Sequence, residues 1–338
     1  MNTLTSIRTQ APGLKNEKID NNLLLRALAY AMSDHVLYNT GKKQSVKRNA
    51  GTNTVQWRGY KPLPVAANRH VITEGVNPEG MKVGARTVTG SVAVYGAYLE
   101  VTRQVESYNL DQLLIEYGPL ITNHAAETLE LVTRDAIEED GGVYYVVPAG
   151  TTSPDEDKIT SADILTLDVC RLVANQMKVA RRRGHESTGF SRYKVITSVE
   201  GMQDLLDDEA LLKRAMIPGN TNKPVMDNGL ESYDVYNLRF VEYNYPVIKN
   251  NKTAVPVYHT YVFGENAYAV MDLASAGIEL KRFGFEPKKG DNLGQIASIG
   301  WITMGFGAQV LDPTACTIIS HAVSHPLTRP TDIYAAQE

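Results

Sequence analysis

The chain has 338 residues, which predicts about two domains or one large composite fold. With 43% hydrophobic and 21% charged residues, it is neither a disordered chain nor a fibre. The 34 basic and 38 acidic residues leave a net charge of −4, which disfavours a general nucleic-acid coat, and two cysteines exclude a disulfide scaffold or an all-cysteine zinc site within one chain.

Residues 1–20 are polar and mixed, as in an extended arm. Residues 1–15 lack the apolar core of a signal peptide, and no uncharged apolar run reaches ~18 residues. The expectation is a cytoplasmic chain with Cys170 and Cys316 reduced. Residues 20–38 predict a helix: Asp20 can cap it, and Leu24, Leu28, Ala31 and His35 follow at helical spacing. Residues 54–60 read as a strand, and the glycines and proline of 70–84 as a loop. Residues 85–105 then alternate without a break. Val88, Gly90, Val92, Val94, Gly96 and Tyr98 share one face, and neither face is clearly polar. A single strand of ~15 residues would be two to three times the common length and marginal alone in water. It must lie on its own body or on a neighbour.

Residues 107–140 carry the strongest helical period, from Leu110 through Leu114, Tyr117, Ile121, Ala125, Leu129 and Val132 to Ala136. Gly118-Pro119 predicts a break, with a long helix from Pro119 to about Asp140. Residues 161–183 predict a second helix capped by Ser161 and stopped at Gly184, with Arg181-Arg182-Arg183 in its last turn. There the arginines complement the helix dipole, or else contact phosphate. Short elements follow: strands at 193–197, 238–243 and 258–262, helices at 199–206 and 209–216. Longer strands return at 278–283, 297–307 and 316–320, and the last eighteen residues read as an irregular tail.

The chemistry-bearing patterns are sparse. No phosphate-loop, dinucleotide, HExxH or GxSxG motif is present. Gly305-Phe306-Gly307 lies inside a strand pattern and reads as close packing. His321 and His325 at i,i+4 would meet on a helix face as metal ligands, but Pro326 follows and no carboxylate accompanies them. His124 reads as packed or surface. Asp135, Glu138, Glu139 and Asp140 read as a solvated face or a bridge to another subunit, and Asp155-Glu156-Asp157 as a loop. Cys170 and Cys316 read as small core residues. Eighteen tyrosines against six phenylalanines suit surfaces that meet other surfaces. Nothing predicts a catalytic residue, a cofactor or a metal. A large surface without a site points to a protein that touches copies of itself.

The closing segment Gly294-Gln295-Ile296-Ala297-Ser298-Ile299-Gly300-Trp301, followed by Met304-Gly305-Phe306-Gly307-Ala308-Gln309-Val310-Leu311, resembles the "GQ…GW…A…L" ending of N-four-like tailed-phage major capsid proteins. The segment Val262-Phe263-Gly264-Glu265-Asn266-Ala267-Tyr268 resembles their "FGxxAY" stretch. The order of arm, ribbon, long helix, mixed centre and returning strands is similar to the α+β HK97-type capsid fold over roughly residues 20–320.

That resemblance implies a division into domains. Residues 1–48 would be the N-terminal arm and 49–105 the extension loop. Residues 106–185 and 276–325 would form the peripheral domain with its spine helix, 186–275 the axial domain, and 326–338 a tail. It implies a major capsid protein that assembles as hexamers and pentamers into an icosahedral head around double-stranded DNA, without sequence-specific binding. Portal protein would be a partner, and scaffolding or decoration proteins could be. The chain would reside in the virion head, and in host cytoplasm during assembly, with no membrane. Candidate intersubunit contacts are Trp57, Arg58, Tyr60, Arg69, Glu74, Lys82, Arg86, Tyr95 and Tyr98. Lys82 and Asn292 have the residue types that crosslink some such shells, but no spacing identifies a pair. The alternatives are a cargo-enclosing compartment shell of the same fold, and an enzyme whose site is scattered in sequence.

Overall fold

The computed structural model describes residues 35–46, 53–60, 63, 72, 74–76, 80–108, 113–148, 150–185, 192–208, 225–227, 230–273, 278–287 and 290–327. In chain order these form α1 (Val36–Thr40), β1 (Lys42–Val46), β2 (Thr54–Tyr60), β3 (Ala85–Ser91), β4 (Ala93–Thr102), α2 (Arg103–Tyr108), α3 (Leu113–Asp140), β5 (Gly142–Tyr145) and α4 (Leu167–Val179). Then come β6 (Tyr193–Ser198), α5 (Val199–Asp207), β7 (Val225–Asp227), β8 (Leu230–Val235), β9 (Leu238–Tyr243), β10 (Ile248–Asn250), β11 (Pro256–Phe263), β12 (Tyr268–Leu273), β13 (Ile278–Phe283), β14 (Ile296–Val310) and β15 (Cys316–His321). The predicted helix at 209–216, and residues 20–34 of the first one, lie outside the described residues.

Three sheets organise these elements. A five-stranded sheet runs β1-β12-β14-β13, with β4 also on β14. An eight-stranded sheet runs β5-β15-β11-β6-β9-β8-β7, with β10 on β11. The third is the two-stranded antiparallel ribbon β2–β3, in which Trp57 faces Val88. In the eight-stranded sheet, β6 is buried at every position and β11 at all but its first. Both faces of these strands are covered, and the polar side chains they carry find partners within the sheet, as where Thr197 and Thr260 bond at 2.8 Å. On one face α4 and α5 bury Cys170, Val173, Met177, Met202 and Leu205 against Val195, Phe240 and Val262.

The long alternating stretch divides. β3 pairs with β2, whereas β4 leaves the ribbon and pairs with β14. The division falls at Val92, beside a bulge in β14 where Met304 and Gly305 oppose the single residue Val94. A Cβ on Gly305 would come 3.2 Å from Val92 Cγ2, and one on Gly307 would strike the Ser91 carbonyl. The GxG pattern is thus the close-packing feature its position suggested: it lets the ribbon cross β14. The unbroken 15-residue strand of this chain is β14 itself.

Helix α3 continues through Pro119. Packing outweighs the local break: Ile121, Ala125 and Ala126 bury against Leu280, Ile299 and Trp301 of the five-stranded sheet. Helix α4 begins six residues later than expected. Its cap is Thr166, whose hydroxyl accepts from Val169 N at 3.5 Å, while Ser161 lies in a turn held by Asp163. The helix ends at Val179, so the three arginines sit beyond its last turn.

Sheet membership cuts across the expected spans, of which 106–185 and 276–325 were already one discontinuous unit. β12, inside 186–275, belongs to the five-stranded sheet with β13 and β14. β5 and β15, inside 106–185 and 276–325, belong to the eight-stranded one. The tyrosines also divide. Tyr193, Tyr258, Tyr261 and Tyr268 are among the largest fully buried side chains, and three of their hydroxyls donate to Arg182 O, Glu138 and Leu37 O. Tyr60, Tyr98 and Tyr108 remain exposed.

Candidate subunit interface

The ribbon is fixed to the body at its base. Gly90 has no side chain because Met271 and Trp57 occupy that space: a Cβ there would lie 2.6 Å from Met271 Cε and 3.0 Å from the Trp57 ring. Further along, Arg86 pairs with Asp312 at 3.5 Å, and Asp312 also holds Arg182 at 2.7 Å. Between ribbon and body lies a cleft of about 550 Å³. Trp57, Arg58, Tyr60, Arg86, the three arginines after α4, Lys42, Glu265 and Asp312 line it.

Among the described residues, the five-stranded sheet has one face covered by a helix and one face with exposed apolar side chains. Beneath it α3 packs on Ile299 and Trp301, and Trp301 Nε1 donates to His124 Nδ1 at 3.1 Å. On the opposite side Val94, Tyr98 and Phe283 are 61%, 68% and 52% exposed. They border a shallow hollow of about 440 Å³ between β4 and β13. Tyr98 lies across from Gly300, where any side chain would collide with the Tyr98 Cβ at 2.7 Å. Open apolar area of this kind suits a partner surface; covering one such side chain is worth about 1.5–3 kcal/mol.

The residues expected at seams fall in different places. Tyr60 and Arg58 stand on the ribbon beside the cleft, with Tyr60 71% exposed. Glu74 and Lys82 are exposed beyond it. Arg69 lies outside the described residues. Trp57 is half-buried at the ribbon base, and Arg86 is tied within its own chain. Tyr95 and Tyr98 belong to β4 and not to the ribbon. Tyr95 points inward, edge-on to Phe306 with ring centroids 6.5 Å apart, and Tyr98 points outward.

The acidic end of α3 is partly turned inward. Glu138 accepts from Tyr261 OH at 2.8 Å and meets His259 Nδ1 at 2.7 Å, while His259 Nε2 meets Glu156 at 3.1 Å. Burial opposes the Glu138 charge, but His259, Tyr261 and Lys249 outweigh it and hold the carboxyl below its usual range. Asp135 and Glu139 remain exposed. Two turns earlier, Glu130 accepts from Leu37 N and Tyr38 N, both at 2.8 Å, and so caps α1 from outside. It occupies the buried face defined by Ala126, Thr133 and Ile137, and that placement was the available signal for it.

His321 is not on a helix with His325. It lies in β15, fully buried, with Nε2 at 2.9 Å from Thr260 Oγ1 and Nδ1 at 2.7 Å from Ala322 O. Among the described residues no group of three or more His, Cys, Asp or Glu side chains is placed to hold a metal ion. Burial pushes the Cys170 thiol up to about 12, and raises Cys316 as well, leaving both unreactive. No described helix is long and apolar enough to cross a membrane.

No family model matches the chain, and no curated protein matches it. Solved structures do. The capsid of Ralstonia phage GP4 superposes with a TM-score of 0.63 at 10% identity, covering 86% of this chain and 89% of that one. The cyanophage Pam1 capsid gives a TM-score of 0.65 at 10% identity, covering 87% and 94%. The holo-SrpI encapsulin complex from Synechococcus elongatus PCC 7942 gives 0.52 at 9% identity, covering 87% and 90%. The chain therefore has the HK97-type α+β fold that these shells share.

Proposed function

We propose that this chain is the major capsid protein of a tailed phage, assembling as hexamers and pentamers into an icosahedral head around double-stranded DNA. One observation carries the reading: on a fold shared with phage capsids, a ribbon and the open face of the five-stranded sheet both present apolar side chains to solvent. Closed shells need such repeated heterologous contacts from one chain. On this reading the five-stranded sheet with α3 is the peripheral domain and the eight-stranded sheet with α4 and α5 the axial domain, each drawing on separated stretches of sequence. The protein is structural and not catalytic. Portal protein, and scaffolding or decoration proteins, are its proposed partners, and the virion head its location. Its placement with the N-four-like branch rests on the closing motifs alone.

Deleting residues 62–84 tests the part of the extension that joins the two ribbon strands. The variant should give folded subunits by circular dichroism that form no closed particles by negative-stain microscopy. Normal shells from it would remove that joining part from assembly. The encapsulin match favours a second reading, a shell that encloses protein cargo. Purified native particles distinguish the two, since a head holds double-stranded DNA and a compartment holds an enzyme.

A further inference from the structure

The cleft between the ribbon and the body concentrates charge that the chain does not neutralise. Among the described residues that line it, Lys42, Arg58, Arg86, Arg181, Arg182 and Arg183 are accompanied by the carboxylates Asp312 and Glu265, an excess of four positive charges in a chain of net charge −4. Asp312 is already shared by Arg86 and Arg182. Among the described residues, the side chains of Arg58, Arg181 and Arg183 make no ion pair. Trp57 Nε1 is buried in this region without an acceptor.

The backbone adds an independent observation. After α4 the chain turns back through bonds from Arg181 N to Lys178 O and from Arg182 N to Met177 O, and Arg181 has φ +58°. Glycine usually occupies the left-handed position that follows a helix, because a Cβ there is costly. Here an arginine takes that position and lines the cleft. Strain kept at one residue points to a use for its side chain.

We infer that this cleft is the docking site for an acidic segment of a second copy of the chain. The inference rests on the shell reading above and names one contact within it. Arginine, tryptophan and tyrosine together match the composition of protein interfaces, and the guanidinium fork takes a carboxylate bidentately. Charge complementarity supports a second copy as the occupant: with this excess of four set aside, the rest of each chain carries a net charge of −8, the chain's −4 less the cleft's +4. Packaged DNA fits less well. A duplex needs a basic track along its phosphates, and this basin is concave and carries two carboxylates of its own.

The test uses assembled particles built from equal amounts of ¹⁴N- and ¹⁵N-labelled chain. A zero-length carbodiimide reagent joins the Lys42 amine to any carboxylate touching it. Mass spectrometry should find mixed-isotope crosslinks from Lys42 to an acidic peptide in particles and not in free subunits. In parallel, Arg181→Gly with Arg183→Gln should lower particle yield at least tenfold at physiological salt without lowering Tm, because glycine relieves the left-handed turn. Particles at wild-type yield from this variant, with no mixed crosslink at Lys42, overturn the cleft contact and leave the shell reading standing. Loss of duplex-DNA binding in the variant, again without mixed crosslinks, overturns it in favour of nucleic acid. Failure of the wild-type chain to form any particle overturns the shell reading, and the cleft contact with it.

Discussion

Glu130 accepts two backbone N–H groups of α1, yet burial pushes its carboxyl up to about 7. His321 is pushed the other way, down to about 4, again by burial. Their linkage to folding is opposite in sign. For Glu130 the folded state binds more protons than the unfolded one, so stability is lost as pH rises from the usual carboxylate value towards 7. For His321 the unfolded state binds more, so stability is lost as pH falls from 6.5 towards 4. Each is worth on the order of 3 kcal/mol across its range. The two windows overlap and offset each other in the wild type, so denaturant titrations between pH 4 and 7 should show stability rising with pH in Glu130→Gln, where only His321 remains, and falling with pH in His321→Gln, where only Glu130 remains. Parallel pH profiles for wild type and both variants would remove these residues from the pH response. His321 shows what sequence alone could not settle. Its i,i+4 spacing with His325 suggested a helix pair, and only the register of β15 against β11, with Ser320 opposite His259, shows it as a core side chain bonded to Thr260.

Most of α3, most of β14 and the whole of β2 were legible from their periods, and β3 as part of one longer alternating stretch. What misled were local punctuation marks whose effect depends on distant packing. Pro119 reads as a break until the apolar face C-terminal to it meets Ile299 and Trp301. Replacing it with alanine should therefore stabilise the protein, by about 1–3 kcal/mol in chemical denaturation. An unchanged midpoint would mean that the turn before Pro119 contributes nothing. Val92 carries no turn signal at all. The division there is imposed from outside, by the bulge at Met304-Gly305 and by Gly307 under Ser91. Gly307→Ala should cost 2 kcal/mol or more, since the methyl has nowhere to go. It should also depress assembly beyond its effect on stability, because it displaces the ribbon base.

At the scale of the molecule, two sheets share one core. Phe263, Cys316 and Ile318 of the eight-stranded sheet pack with Tyr268, Phe306 and Val310 of the five-stranded one, around Leu129 and Ile137 of α3. The chain passes between the two sheets several times, so each sheet draws on separated stretches of sequence. The open face can be tested without touching that core. Tyr98→Ser with Phe283→Ser alters two exposed side chains and should leave the unfolding free energy within about 1 kcal/mol of wild type. Particle yield should fall at least tenfold, and wild-type assembly by this variant would move the seam elsewhere.

The way β4 joins β14 bears on how the subunit carries mechanical load. β4 follows the ribbon through Val92 and lies antiparallel along β14, from Ala93 opposite Phe306 to Thr102 opposite Ile296. A pull that reaches β4 through Val92 and acts along that strand acts along its ladder with β14. The hydrogen bonds of that ladder are then loaded in shear, together, and are not peeled one after another. A neighbour gripping the ribbon would tug on the longest strand of the body at its most resistant angle, as a tether should when a shell is under pressure from within.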